Sequence, residues 1–141
     1  MTTPARYARP LPMVTPENER YWQGARDHEL WLRNCRAEDR TYFYPRDICP
    51  SCGSRDTEWK QVSGRGTLYT YAIVHRAPSP AFADLVPYVT AIVELDEGGR
   101  MMTNLVDIEP DPAQITVGMP VEVTFDDVTP EVTLPKFRPA R

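Results

Sequence analysis

The chain has 141 residues, of which 41% are apolar, and a formal net charge of −4. That size suits one structural domain with a small appendage. The acidic balance argues against a phosphate-backbone binder, which needs a clustered basic surface. No apolar run approaches the roughly 18 residues of a membrane span, and Met1 to Val14 lacks the apolar centre of a secretory signal. Three cysteines, two of them only three positions apart, fit thiols kept as ligands in a reducing cytoplasm better than a disulfide framework.

In chain order, residues 1–14 read as an extended, proline-rich arm with no core of its own. Thr15-Pro16-Glu17 predicts a helix start. Thr15 suits the N-cap and Pro16 the first helical position, while Glu17 and Glu19 favour the positive end of the helix dipole. Tyr21, Trp22 and Ala25 fall on one stripe, and Gly24 predicts a short helix. Two aromatics on so short a helix serve either as core packing or as a docking surface, and the sequence leaves both open. Glu29 to Arg33 leads into Cys35. Cys35 to Trp59 reads as a ribbon, with Tyr42, Phe43 and Tyr44 on the arm joining its two knuckles.

Beyond Val62 the pattern becomes wholly β. From Thr67 to His75, Leu68, Thr70, Ala72 and Val74 alternate with Tyr69, Tyr71, Ile73 and His75. Tyr88 to Leu95 alternates again, with Val89, Ala91, Val93 and Leu95 on one face. Asp96-Glu97-Gly98-Gly99 predicts a hairpin turn into Arg100–Asp107. Val121, Val123 and Phe125 mark a fourth strand, and Val132 and Leu134 a short fifth. Five strands with a long opening one predict a small Greek-key barrel of the OB type. The fold expected is mainly β: an N-terminal arm and helix (1–34), a degenerate zinc ribbon (35–61), and a five-stranded barrel with its C-terminal tail (62–141).

Cys49-Pro50-Ser51-Cys52-Gly53 places two thiols on a tight turn ending in glycine, which is half of a tetrahedral zinc site. The other half departs from the pattern. Cys35 is present, but Glu38 stands where a fourth thiol belongs and Asp39 where the glycine would be. Three readings follow. Glu38 supplies an oxygen ligand beside Cys35, Cys49 and Cys52; or Asp39, His28 or a water completes the sphere; or the ribbon has lost its zinc and survives on aromatic packing. His75, at the end of the first long strand, is expected to be a surface or packing residue. No phosphate loop, nucleophile elbow or zinc-protease helix appears.

The ordered set resembles a known family. It comprises the aromatics Tyr21-Trp22, the stretch Tyr44 to Gly53, Ser63 to Tyr71, Pro87-Tyr88, Val93 to Gly98, Val117 to Val121, and Leu134 to Phe137. Together these are similar to the zinc-ribbon and OB-fold proteins of acyl-CoA metabolism, long catalogued as a domain of unknown function. The resemblance implies a helical arm, a rubredoxin-like ribbon and an OB barrel. It also implies a non-catalytic subunit in a hetero-oligomer with a thiolase-fold enzyme (thiolase, acyltransferase or a steroid side-chain aldolase). Such a subunit stabilises its partner and helps shape the channel for acyl-CoA. Capture of anionic CoA would call on basic groups such as Arg65, Arg76, Lys136 or Arg138. A second reading is a single-stranded nucleic-acid module that stacks bases on Tyr69, Tyr71 and Tyr88, against which the net charge counts. A third, a small thioester hydrolase using Cys35 or His75, lacks a recognisable catalytic set.

Overall fold

The computed structural model describes residues 7–141. Its one α-helix, α1, spans Glu19–Arg26 and therefore begins later than a Thr15 cap predicts. Thr15 to Asn18 instead form a turn, closed by the Asn18 N–H on the Thr15 carbonyl at 3.1 Å. The Asn18 side chain holds that turn from both ends: its Oδ1 accepts from the Thr15 N–H at 2.7 Å and its Nδ2 donates to the Met13 carbonyl at 3.1 Å. Gly24 does not stop the helix. It lies inside α1 because a Cβ there would come within 2.5 Å of the Trp31 ring. His28, at φ 58°, reverses the chain after the helix.

Strands β1 (Leu30–Cys35), β2 (Arg40–Tyr42) and β3 (Thr57–Val62) form an antiparallel sheet in the order β2-β1-β3. As its central strand, β1 is buried along nearly its whole length. Helix α1 packs against this sheet and settles the role of its aromatics. Tyr21 is buried edge-on to Trp22 and Tyr44, with ring centroids 4.8 and 5.5 Å away. The Tyr44 hydroxyl accepts from Trp22 Nε1 at 2.9 Å and from Asn18 Nδ2 at 3.1 Å. Burial, with Tyr44 adding to it, raises the Tyr21 phenol far above its ordinary range. The stripe is core packing of this chain.

Five further strands close a barrel: β4 (Arg65–Val74), β5 (Tyr88–Leu95), β6 (Arg100–Leu105), β7 (Pro120–Asp127) and β8 (Thr133–Pro139), in the order β4-β5-β6-β8-β7. The neighbours are antiparallel except β6 and β8, which meet in parallel where Leu105 faces Phe137. This is the expected OB-type architecture, and the predicted short fifth strand, at seven residues, seals it. Leu68, Val93, Met101, Val121 and Phe137 fill the interior in one cluster with Tyr21, Leu30, Leu32 and Val62. Ribbon sheet, helix and barrel thus share a core.

The predicted faces of β4 need one correction. Pairing with β5 shifts register between Leu68 and Thr70, leaving Tyr69 as an extra residue. A bulge of this kind swaps the faces beyond it. Tyr71 and Ile73 therefore pack against the core, whereas Thr70 and Ala72 are exposed. The described part of the N-terminal arm is pinned to the β4–β5 connection, with Arg9 bonded to Asp84 at 2.7 Å and set over Phe82 at 5.9 Å.

Candidate metal centre and the surfaces around it

Two elements deliver the thiols. Strand β1 carries Cys35 to the end of the central ladder, where it pairs with Thr57 across the sheet and with Arg40 on the other side. The Cys49–Gly53 turn approaches from the loop before β3. The Gly53 N–H bonds the Cys49 carbonyl at 2.9 Å, with Gly53 at φ 75°, a conformation that glycine adopts without strain. The Cys49 N–H bonds Ser54 at 2.9 Å and closes the knuckle.

The sulfurs of Cys35, Cys49 and Cys52 lie within 4.8 Å of one another. Cys35 and Cys52 are 3.7 Å apart, close to the edge of a tetrahedron of zinc–sulfur bonds, about 3.8 Å for a bond of about 2.3 Å. Cys35 and Cys49 are buried beside Tyr42, whose hydroxyl donates to the Arg46 carbonyl, and Cys52 is exposed. The backbone N–H groups of Cys52 and Ser51, with the neighbouring thiols, hold Cys49 below the usual thiol range despite its desolvation. At Cys52 the Ser54 N–H pulls the other way from desolvation, the two other thiols and Glu38, and the net effect pushes it up to about 11. Three soft, converging donors with one open side fit zinc.

The fourth position is less complete. Glu38 sits beside Cys52, but its carboxylate is outside the sulfur group; it accepts from Ser51 Oγ at 3.5 Å and lies 4.0 Å from Arg40. Asp39, at φ 48°, occupies the turn position where a glycine was expected and does not join the group. His28 is drawn elsewhere. Its Nε2 lies 3.0 Å from Asp127 on β7, and its ring stacks on Phe125 at 5.0 Å.

Three of the four predicted basic residues share one face of the barrel wall, since Arg65 lies opposite Glu122, Glu122 opposite Arg138, and Lys136 two positions along from Arg138, while Arg76 lies apart. Arg65 opens β4 and Arg76 lies beyond its far end, both exposed. Lys136 and Arg138, on β8, are tied to Asp126 at 2.6 Å and Glu122 at 3.2 Å. A different pair of arginines, Arg40 and Arg100, flanks a cleft of about 620 Å³ between the ribbon and the β5–β6 turn. There Gly99 lets the turn approach β2, since a Cβ would lie 3.1 Å from the Thr41 carbonyl. The proposed stacking series is also broken up. Arg100 covers the Tyr69 ring at 3.9 Å, Tyr71 packs against the core, and Tyr88 leans on Phe82 at 6.1 Å. His75 is exposed. Among the described residues no helix is long and apolar enough to cross a membrane.

One residue the sequence reading passed over is Arg33, buried on β1 two positions before Cys35. Local sequence carries no signal for it, because the residues that give it meaning, Thr57 and Trp59, are brought alongside only by the strand register.

Comparison with known proteins adds the following. Residues 22–58 match the family model of the ChsH2 rubredoxin-like zinc ribbon domain, and residues 59–126 that of the ChsH2 C-terminal OB-fold domain. The chain is 42% identical over 132 residues to a probable enoyl-CoA hydratase alpha subunit of Thermomonospora curvata, covering 94% of this chain and 40% of that protein. It is 43% identical over 93 residues to a DUF35 domain-containing scaffold protein of Methanocaldococcus jannaschii, covering 64% of this chain and 63% of the relative. The chain thus spans less than two thirds of either curated relative. A solved structure described as an Ltp2-ChsH2(DUF35) aldolase superposes with a TM-score of 0.78 at 40% identity, over 93% of this chain and 100% of the matched one.

Proposed function

The chain belongs to the ChsH2-type DUF35 family of paired zinc-ribbon and OB-fold domains, and from that premise we propose that it is a non-catalytic subunit of a larger acyl-CoA enzyme. The partner in this reading is a thiolase-fold enzyme (thiolase, acyltransferase or aldolase), which the small subunit stabilises and whose CoA channel it helps to shape. The observation that carries the reading is the match, from end to end of the solved chain, to the DUF35 component of an aldolase described by both of its names. The chemistry of this chain agrees with it. Tyr21, Trp22 and Tyr44 are spent on packing, and the thiols face one another rather than a base.

An apolar surface supports a partner as well. Met13 is 81% exposed, and Val14, Leu11 and Ile48 are exposed with it. Glu17 bonds the Asp47 N–H at 3.2 Å and Asn18 bonds Tyr44, which draws the 13–18 turn and the 44–48 loop together. Large exposed apolar side chains gathered in one region mark interaction sites. For the metal, Cys35, Cys49 and Cys52 would hold zinc with Glu38 turning in as the fourth donor. Bound there, zinc staples the ribbon and performs no turnover. Arg65 and Arg76, the two exposed members of the basic set, are the CoA-facing candidates among it. Cysteines used as metal ligands support a reducing compartment such as the cytoplasm.

Co-expression with a thiolase-fold enzyme encoded beside it tests the assignment. A single stoichiometric peak in size-exclusion chromatography is expected. Two separate peaks, or acyl-CoA turnover by this chain alone, would refute it.

A further inference from the structure

Arg33 is the only charged side chain among the described residues that the fold buries, at 9% exposure. Its charge has no visible balance. Nη2 donates to Thr57 Oγ1 at 2.5 Å and the guanidinium lies 5.0 Å from the Trp59 ring, but Nε has no hydrogen-bond partner. No carboxylate among the described residues pairs with it, and the nearby acids Asp56 and Glu58 are engaged by Arg36 at 3.3 and 3.0 Å. Burying a guanidinium without an anion is strongly unfavourable. A fold that does so has an anion close at hand.

The sheet register shows where. Residues two apart on a strand share a face, as do residues directly opposite on antiparallel strands. Arg33 pairs with Trp59 and Cys35 with Thr57, so these four side chains lie on one face of the β1–β3 ladder. By bonding Thr57 rather than resting on Trp59 alone, the guanidinium reaches along the strand towards Cys35. The sulfurs of Cys49 and Cys52 lie within 4.8 Å of that of Cys35. Three thiolates around a dication leave one surplus negative charge, and a carboxylate in the fourth place makes it two.

We propose that Arg33 is the buried counter-charge of the thiolate–zinc centre, a positioning residue that holds the metal without touching it. The inference rests on the zinc reading above. Outer partners of metal ligands commonly contribute tenfold or more in affinity. Here the partner is a full charge in a dry setting, and it offsets the excess that a three-thiolate site carries.

The test uses the full chain and zinc alone, with affinity read by competition against a chromogenic chelator. Arg33→Met is expected to weaken zinc binding about ten- to a hundredfold, while Arg33→Lys, which keeps the charge, recovers most of it. The second readout is the melting temperature of the zinc-stripped proteins. Stripped Arg33→Met should melt no lower than the stripped parent, because an uncompensated buried charge has been removed. A residue that merely packs would lower both values together, and that result overturns the proposal. So does unchanged zinc affinity in Arg33→Met. Should that variant fail to fold, Arg33→Gln carries the same expectation. If the unsubstituted chain takes up no zinc, the zinc reading fails first and the inference falls with it, before any variant is compared.

Discussion

The barrel and the ribbon are held together by different means, although they share a core. The barrel is closed on itself by five strands and filled by Leu68, Val93, Met101, Val121 and Phe137. Every strand has a neighbour on both sides, so the structure leaves no edge for a metal to mend. The ribbon has only three strands, two of them at edges, and its second cluster is just Cys35, Tyr42 and Cys49. A core that small does not stabilise a sheet in water. Its order comes from the helix on one side, the barrel beneath, and whatever binds the thiols. The difference teaches that the metal centre and the barrel answer to different perturbations.

The largest expected effect separates them. Stripping zinc with a chelator should abolish amide hydrogen-exchange protection across the ribbon, from Leu30 to Val62, and leave β4 to β8 protected, as structural zinc sites contribute folding energy directly. Loss of protection in both regions at once would show one cooperative unit and erase the contrast. Next is Phe137→Ala. This side chain is fully buried where β6, β7 and β8 meet, and its removal should cost about 3–5 kcal/mol in denaturant unfolding, felt by barrel and ribbon alike through the shared core.

Gly99→Ala probes the seam between the two regions. The residue has φ 86°, and the added Cβ would press within 3.1 Å of the Thr41 carbonyl. A loss of about 1–2 kcal/mol is expected, with increased exchange at β2 as its signature. The smallest effect concerns the exposed clasp between His28 and β7. Asp127 is held below the usual carboxylate range, first by the Thr133 hydroxyl and then by His28. A carboxyl depressed in the folded chain stabilises it above the unfolded value of about 3.9, and that contribution disappears as pH falls through the folded value. The melting curves of the parent and Asp127→Asn should therefore differ near neutral pH and converge in acid. The gap will be modest, since exposed pairs contribute little.

The barrel was legible in sequence wherever period-two alternation survived. Tyr88–Leu95 is observed with the bounds expected, and its four predicted inward residues are buried. Alternation hides the bulge at Tyr69, because no glycine marks it, and so groups Thr70 and Ala72 with Leu68 where the structure sets Tyr71 and Ile73. Strand β1 escaped for the opposite reason. Leu32, Arg33, Asn34 and Cys35 are all buried, so no exposed face interrupts the run, and polar residues in it suggest a loop. The thiol cluster was readable because Cys-x-x-Cys is local geometry. Arg33 was not, since its meaning depends on Thr57 and Trp59, which only the strand register brings alongside.

Among the described strands, the last to be made is the one that seals the barrel. Because β8 must slot between β6 and β7, the cylinder stays open on the ribosome until Phe137 has cleared the exit tunnel, while helix α1 and the thiol hairpin are already outside. During synthesis the metal-binding end therefore waits on a half-built platform, and its apolar underside, Leu30, Leu32 and Val62, stays wet until β8 arrives.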